Sequence, residues 1–204
     1  VRLIAGNNCR VQFETGNELT KHSADNPIIV KVNYTEDRQI LTGDAAYILA
    51  NYTKFKPVDV NGKNVGIDKE GWLREYKFFS VAAGTTDTVG HSTLKAAVDT
   101  LNNHGGGKVL ADYGEVLTET VNVNSDIQIL ARGGDVTFTR GESLKKYPMV
   151  EIAEGVALSV GSAEDVDTLA FDGGSIEVNN PIMLNKGTLN LLGNIVFRNN
   201  NSRK

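Results

Sequence analysis

Cysteine is almost missing from this chain of 204 residues. Cys9 stands alone, so no internal disulfide can staple the fold. A reactive thiol needs an activating neighbour. In Asn7-Asn8-Cys9-Arg10 only Arg10 offers one, which makes Cys9 a small buried hydrophobe. A single cysteine does not fix the compartment, because surface proteins of Gram-positive bacteria and cytosolic proteins are both poor in it. Proline is scarce, at 4 residues, and aromatic residues make up only 7%. No apolar stretch reaches the roughly 18 residues of a membrane span, and no signal peptide is visible. Lys and Arg form no run before Arg203-Lys204, and the net charge is −4. Phosphate binding needs a basic stripe, so a nucleic-acid partner is not expected. The opening at Val1 and the stop at Lys204 both fall inside a strand-like pattern, which suggests a fragment or a processed piece.

Glycine is abundant, at 21 residues, and hydrophobic residues make up 40% against 23% charged. Many Gly with many Val, Ile and Leu suit a turn-rich, soluble β protein with a sizeable core. Strand-like runs open the chain. Arg10-Val11-Gln12-Phe13-Glu14 alternates, and Pro27-Ile28-Ile29-Val30-Lys31-Val32 is β-branched behind a turn. Ala45, Ile48, Leu49 and Tyr52 share one helical face, with Thr42 or Asp44 as the cap and Pro57 as the stop. Asn61-Gly62 is a turn dipeptide. The run Trp72 to Phe79 is expected to anchor the N-terminal module or its junction with the next one. A second helix is predicted over 92–103, capped by Ser92, with Leu94, Ala97, Val98 and Leu101 on one face. Gly105-Gly106-Gly107 ends it.

Beyond that helix the pattern is short strands only. The alternating pairs are Val121 and Val123, Ile127 and Ile129, Val136 and Phe138, Val150 and Ile152, then Val156, Leu158 and Val160. Ile176 and Val178, Leu189 and Leu191, and Ile195 and Phe197 complete the series. Gly, Asn or Asp sits between runs, which suits a solenoid better than one large sheet. The run Val150 to Gly161 is echoed at Ile182 to Gly193, an offset of 32 residues. Stacked coils produce such a repeat, and each coil exposes an apolar layer that its neighbour buries.

Ser80-Val81-Ala82-Ala83-Gly84, the run Ser92 to Leu101, and Gly105-Gly106-Gly107-Lys108-Val109 carry a family resemblance. The segment from Phe78 to about Gly141 resembles the N-terminal cap of right-handed parallel β-helix proteins of the pectin-lyase-like group. In that group an amphipathic helix plugs the first coil and a Gly-rich turn leads into the first strand. Leu191 to Asn200 looks like the strand-and-turn repeats of bacterial β-helix surface adhesins, without their Gly-Gly-Ala turn. A fainter resemblance runs from Asn33 to Leu49, which looks like one degenerate dockerin repeat. It implies a calcium loop with Asn33, Thr35, Asp37 and Asp44 at positions 1, 3, 5 and 12. Calcium wants six to eight oxygens, and Arg38 stands where the loop glycine belongs. Asp59-Val60-Asn61-Gly62 opens a second such loop, with Lys63 in place of a carboxylate. Otherwise no cofactor is expected.

A β-helix can carry a polysaccharide lyase or hydrolase, which needs a base with cationic groups or a pair of acids. The candidates are Asp165, Asp167 and Asp172, with Arg132 and Arg140. Asp165 and Asp167 sit after Ser162-Ala163-Glu164, a solvated turn, and the two Arg read as surface residues at turn ends. His22, His91 and His104 do not cluster and form no tight metal motif. The triplets at Asn33, Asn51 and Asn200 match the N-glycosylation pattern by chance. Gly105-Gly106-Gly107 follows a helix, whereas a phosphate cradle precedes one.

The fold expected is mainly β: a right-handed parallel β-helix with an N-terminal capping helix over 76–204, preceded by a small α+β accessory module over 1–75. The function expected is a non-catalytic extracellular or cell-surface module, adhesin or stalk, whose ligand is a polysaccharide or a surface protein. Further coils or neighbouring domains are expected at the C-terminus. The alternatives are the N-terminal portion of a polysaccharide lyase or glycoside hydrolase, and a docking module for a scaffold protein.

Overall fold

The computed structural model describes residues 2–5, 11–13, 19, 22–164 and 166–202, with only the strand backbone at 2–5, 11–13 and 202. Cys9 and Asp165 lie outside the described residues. The chain is mainly β, with several parallel sheets. It divides into two compact units, Val1–Tyr76 and Lys77–Lys204.

The first unit begins with β1 (Arg2–Ala5), β2 (Val11–Phe13), β3 (Ile28–Val32), β4 (Arg38–Gln39) and β5 (Leu41–Gly43). Helix α1 (Ala45–Asn51) follows, and then β6 (Phe55–Asp59), β7 (Val65–Ile67) and β8 (Trp72–Glu75). β1, β3 and β6 form a parallel sheet, β2 pairs parallel with β5, and β4, β8 and β7 form an antiparallel sheet. Ile28, Val30 and Val32 point inward from β3 and join Ile40, Leu41, Ile48, Phe55 and Leu73 in the core. Of the two caps the sequence offers, the helix uses Asp44, which accepts the Tyr47 N–H. Other details differ from the sequence pattern. The apolar face is narrower than its periodicity implies, because Ile48 is buried while Leu49 is 57% exposed. Pro57 does not stop a helix but lies in β6, the outer strand of its sheet, where a missing N–H is tolerated. Of the run Trp72 to Phe79, Leu73 anchors this unit and Trp72 does not. It is 37% exposed under the Arg74 guanidinium, and its neighbour Leu73 fills the core.

The second unit starts with β9 (Phe78–Ala82), β10 (Thr88–His91) and α2 (Leu94–Asn103). The N-cap of α2 is Thr93, whose side chain accepts the Ala96 N–H, one residue later than expected. Leu94, Ala97, Val98 and Leu101 are all fully buried on its inner face. Gly105, Gly106 and Gly107 take positive φ and turn the chain into β11 (Gly107–Ala111). A Cβ on Gly107 would run into the Val81 carbonyl, so glycine is required for β11 to lie against β9.

The remaining strands are β12 (Glu115–Leu117), β13 (Val121–Val123), β14 (Ile127–Ala131), β15 (Val136–Arg140) and β16 (Val150–Ile152). They continue with β17 (Ala157–Gly161), β18 (Leu169–Asp172), β19 (Glu177–Val178), β20 (Met183–Asn185), β21 (Thr188–Leu192), β22 (Ile195–Arg198) and β23 (Asn201–Ser202). Three sheets take most of these strands in rotation, and β19 and β23 pair in a fourth. The first runs β10-β9-β11-β14-β17-β21, the second β12-β15-β18-β22 and the third β13-β16-β20. β11 lies antiparallel to β9, and all pairings among the strands from β11 onward are parallel. Like residues stack on like. Phe138, Phe171 and Phe197 stand opposite one another in successive strands, and Phe78 continues the column of rings at centroid spacings of 6.1, 5.3 and 5.6 Å.

The 32-residue echo resolves into two registers. Val150 lies opposite Met183, one residue beyond Ile182, and Leu158 lies opposite Leu189, one residue short of Asn190. The cause is turn length. Ala153 to Val156 separate β16 from β17, but only Lys186 and Gly187 separate β20 from β21.

Candidate functional site

Three of the four residues proposed for calcium are engaged in other bonds. One oxygen of Asp37 accepts the Tyr34 hydroxyl at 2.7 Å, and the other takes Arg74 Nη1 at 2.9 Å. Asp44 caps α1 through the Tyr47 N–H at 2.8 Å. The side-chain oxygen of Asn33 accepts the Asn61 amide. Thr35 is exposed. Among the described residues no group of three or more His, Cys, Asp or Glu side chains is placed to hold a metal ion. Asp59 does not open a second loop. It is buried and accepts the backbone N–H groups of Tyr34, Asn61 and Lys63 at 2.7, 2.9 and 3.2 Å. Burial alone would raise its carboxyl, but these three bonds and Lys63 outweigh it and hold it below the usual carboxylate range.

Asp172, Arg132 and Arg140, three of the acids and bases proposed on the second unit, are likewise committed. Asp172 ends β18 and accepts the Gly174 N–H, Arg198 Nε at 2.6 Å and the Asn199 amide. Burial pushes its carboxyl up, and those bonds more than reverse the push. Asp167 is half-buried in the turn before β18. Arg132 grips Asp112 with two bonds of 2.6 and 2.8 Å and lies over the Phe79 ring. Arg140 is a correction. It is not a surface residue but is only 2% exposed, inside the end of β15. Its Nη1 donates to the carbonyls of Leu144 and Tyr147, and its Nη2 to those of Asn180 and Pro181 and to Asn200 Oδ1. Burial pulls the guanidinium pKa downward. Arg140 therefore ties together three loops from successive turns of the chain.

The histidines stay apart, as their spacing suggests. His22 bonds the Asn26 carbonyl, and His104 bonds the Thr100 carbonyl at the end of α2. Only His91 meets a potential nucleophile, at 2.8 Å from the Ser80 hydroxyl. Ser80 is buried against the core, out of reach of a substrate. Burial drives the His91 pKa down to about 4, so its ring is neutral near neutral pH. Glu115 was not singled out by sequence. Its carboxylate accepts the Leu94 N–H at 2.7 Å and so caps the first turn of α2. Burial raises its pKa, against the pull of that bond and of Lys77.

An open concave surface furnished with polar groups lies on the second unit. A trough of about 530 Å³ runs over the outer face of the first sheet, lined among others by Val81, Thr85, Lys108, Asp126, Gln128 and Ser159. Its central row is set by register. Val81 faces Lys108, Lys108 faces Gln128, Gln128 faces Ser159, and Ser159 faces Asn190. Each of Lys108, Gln128 and Ser159 is the outward middle of a triplet whose flanks turn inward or toward a turn. That alternation is the sequence signal for the row, visible once the strands are taken as one face. Gln128 donates to the Gly161 carbonyl, Asn190 to the Ser159 hydroxyl, and one Asp126 oxygen accepts the Ala157 N–H. Lys108 has no ion-pair partner among the described residues. No family model, no curated protein and no solved structure matches the chain.

Proposed function

We propose that the second unit is the cap and first coils of a right-handed parallel β-helix, and that it serves as a non-catalytic extracellular or cell-surface module, an adhesin or a stalk. The observation that carries this is the rotation of strands through three sheets with like residues in register, above all the column Phe78, Phe138, Phe171 and Phe197. Such stacking makes a stiff rod whose outer faces remain free for contact. The right hand follows from the general preference of parallel crossovers. In this reading α2 is the lid of the first layer. Leu191, 49% exposed, and Phe197, 40% exposed, lie over the fully buried Val160 and Phe171, and they seat a further β layer or a neighbouring domain.

The absence of catalysis is supported by the fate of the candidate groups. Asp172, Arg132 and Arg140 all spend their hydrogen bonds on the fold itself. The test is turnover. The full chain is incubated with pectate, alginate, xylan and β-glucans, and both new reducing ends and unsaturated uronate absorbance are followed. No release above the blank is expected, and turnover of any one polymer refutes the proposal.

A further inference from the structure

We propose that Asn61 is a site of covalent modification, where the folded chain deamidates to aspartate and isoaspartate. Asn61-Gly62 is the sole Asn-Gly pair in the sequence. Both residues are exposed, in the turn that follows β6. Gly62 is left-handed, at φ 80°, and among the described residues no atom comes within 4 Å of where a Cβ on it would sit. The Gly62 nitrogen therefore meets no steric barrier on its way to the Asn61 side chain. Asn124 and Asn201 are each followed by a serine, whose Cβ crowds that approach. The modification lies on the first unit and is independent of the role proposed for the second.

The reaction needs only water. The Gly62 nitrogen gives up its proton and bonds to Cγ of Asn61. The bond from Cγ to Nδ2 breaks, and ammonia leaves with that proton. The cyclic succinimide then takes up one water. Opening at Cγ leaves aspartate. Opening at the main-chain carbonyl leaves isoaspartate, whose backbone carries one extra atom before the Gly62 nitrogen. Either product is heavier by the difference between OH and NH2.

Local hydrogen bonds set both the rate and the consequence. The leaving amide, Asn61 Nδ2, donates to Asn33 Oδ1 at 2.9 Å, in the turn after β3. The Gly62 N–H donates to the Asp59 carbonyl at 3.2 Å. Both bonds are lost when the ring closes, so they slow the reaction without blocking it. After hydrolysis the Nδ2 donor is gone. The Lys63 N–H, which bonds Asp59 Oδ2 at 3.2 Å, lies beyond the extra atom of isoaspartate and is displaced. Asp59 is only 6% exposed, so its carboxylate loses a donor that water replaces poorly. Deamidation therefore loosens the first unit, and the new negative charge beside Asp59 adds to the loss.

The test keeps the full chain folded at mildly alkaline pH for several weeks and follows it by peptide mapping with mass spectrometry and by isoaspartyl methyltransferase labelling. Residue 61 is expected to lose its amide before any other asparagine, with isoaspartate in the same peptide. Asn33→Ala frees the leaving amide and should speed the loss about twofold, the rate equivalent of one weak, exposed hydrogen bond. Gly62→Ala supplies the missing Cβ and should slow it severalfold. A variant that unfolds loses amides throughout the chain, so a change confined to residue 61 reads the turn itself. The aged protein should melt below the fresh one, and Asn61→Asp, which adds the charge without the extra backbone atom, should fall between them. The inference is overturned if residue 61 keeps its amide, if other asparagines lose theirs first, or if both variants react at the rate of the parent.

Discussion

The imidazole of His91 lies 2.8 Å from the buried hydroxyl of Ser80, and burial holds its pKa at about 4 against 6.5 for a free histidine. In the unfolded chain the ring takes a proton as pH falls below 6.5, while the folded chain resists until about 4. The unfolded state then binds more protons, so stability rises with pH through this window and is lost as pH falls. One group can contribute at most about 1.4 kcal/mol per pH unit, and partial solvent access reduces that figure. Thermal melts of the parent from pH 7 downward should show the loss beginning near 6.5. His91→Gln, which cannot charge, should flatten the curve above pH 4. Parallel curves for the two proteins would refute the assignment. Asp59 and Asp172, both held below the usual 3.8, act in a lower window.

Arg140 offers a second measurement. Its guanidinium is held by carbonyl oxygens at 2.9, 2.6 and 2.8 Å, from Leu144, Tyr147 and Pro181. Arg140→Met removes the charge but orphans several buried acceptors, each costing about 1–3 kcal/mol. A loss of at least about 3 kcal/mol in urea unfolding is expected. Arg140→Lys keeps a charge without the planar fork and should fall between. A methionine variant within about 0.5 kcal/mol of the parent, the scale of ordinary surface changes, would show that the cradle adds nothing.

Arg140 also marks where the sequence stops being legible. The alternation of apolar residues at Val121, Ile127, Val136, Val150 and Leu158 is a local signal, and the strands stand where it puts them. The strand Leu169–Asp172 escaped it because Leu169, Ala170 and Phe171 are all buried, so no alternation exists to read. Arg140 escaped because all its partners but Asn200, sixty residues away, are backbone carbonyls up to forty-one residues away, which carry no residue code. The same holds for the trough. Lys108, Gln128 and Ser159 look like ordinary outward residues until register sets them side by side. The acids that sequence favoured were conspicuous by type, yet Asp172 and Asp37 spend their charge on Arg198 and Arg74.

The aromatic column gives a graded prediction. Phe171 is fully buried between Phe138 and Phe197, whereas Phe197 is 40% exposed. Phe171→Ala leaves a cavity that the parallel strands on either side cannot close, at a cost of about 3–5 kcal/mol. Phe197→Ala removes a ring already half in water and should cost less than half as much. Chemical denaturation of both variants reads the ratio. Equal losses would mean that the layer around Phe197 is covered in solution.

The calcium loop is tested by chelation. Both oxygens of Asp37 already carry Tyr34 and Arg74, and one oxygen of Asp44 carries the cap of α1, so an ion here would have to compete with or share those bonds. A cap alone is worth about 1 kcal/mol, and a site with Arg38 inside its loop gains no compensating carboxylate. Thermal unfolding should therefore coincide in calcium and in excess chelator. Asp37→Asn should lower stability by under about 1 kcal/mol through the partly exposed Arg74 pair, equally in both solutions. A calcium-dependent rise in melting temperature that Asp37→Asn or Asp44→Ala abolishes would instead place an ion in this loop.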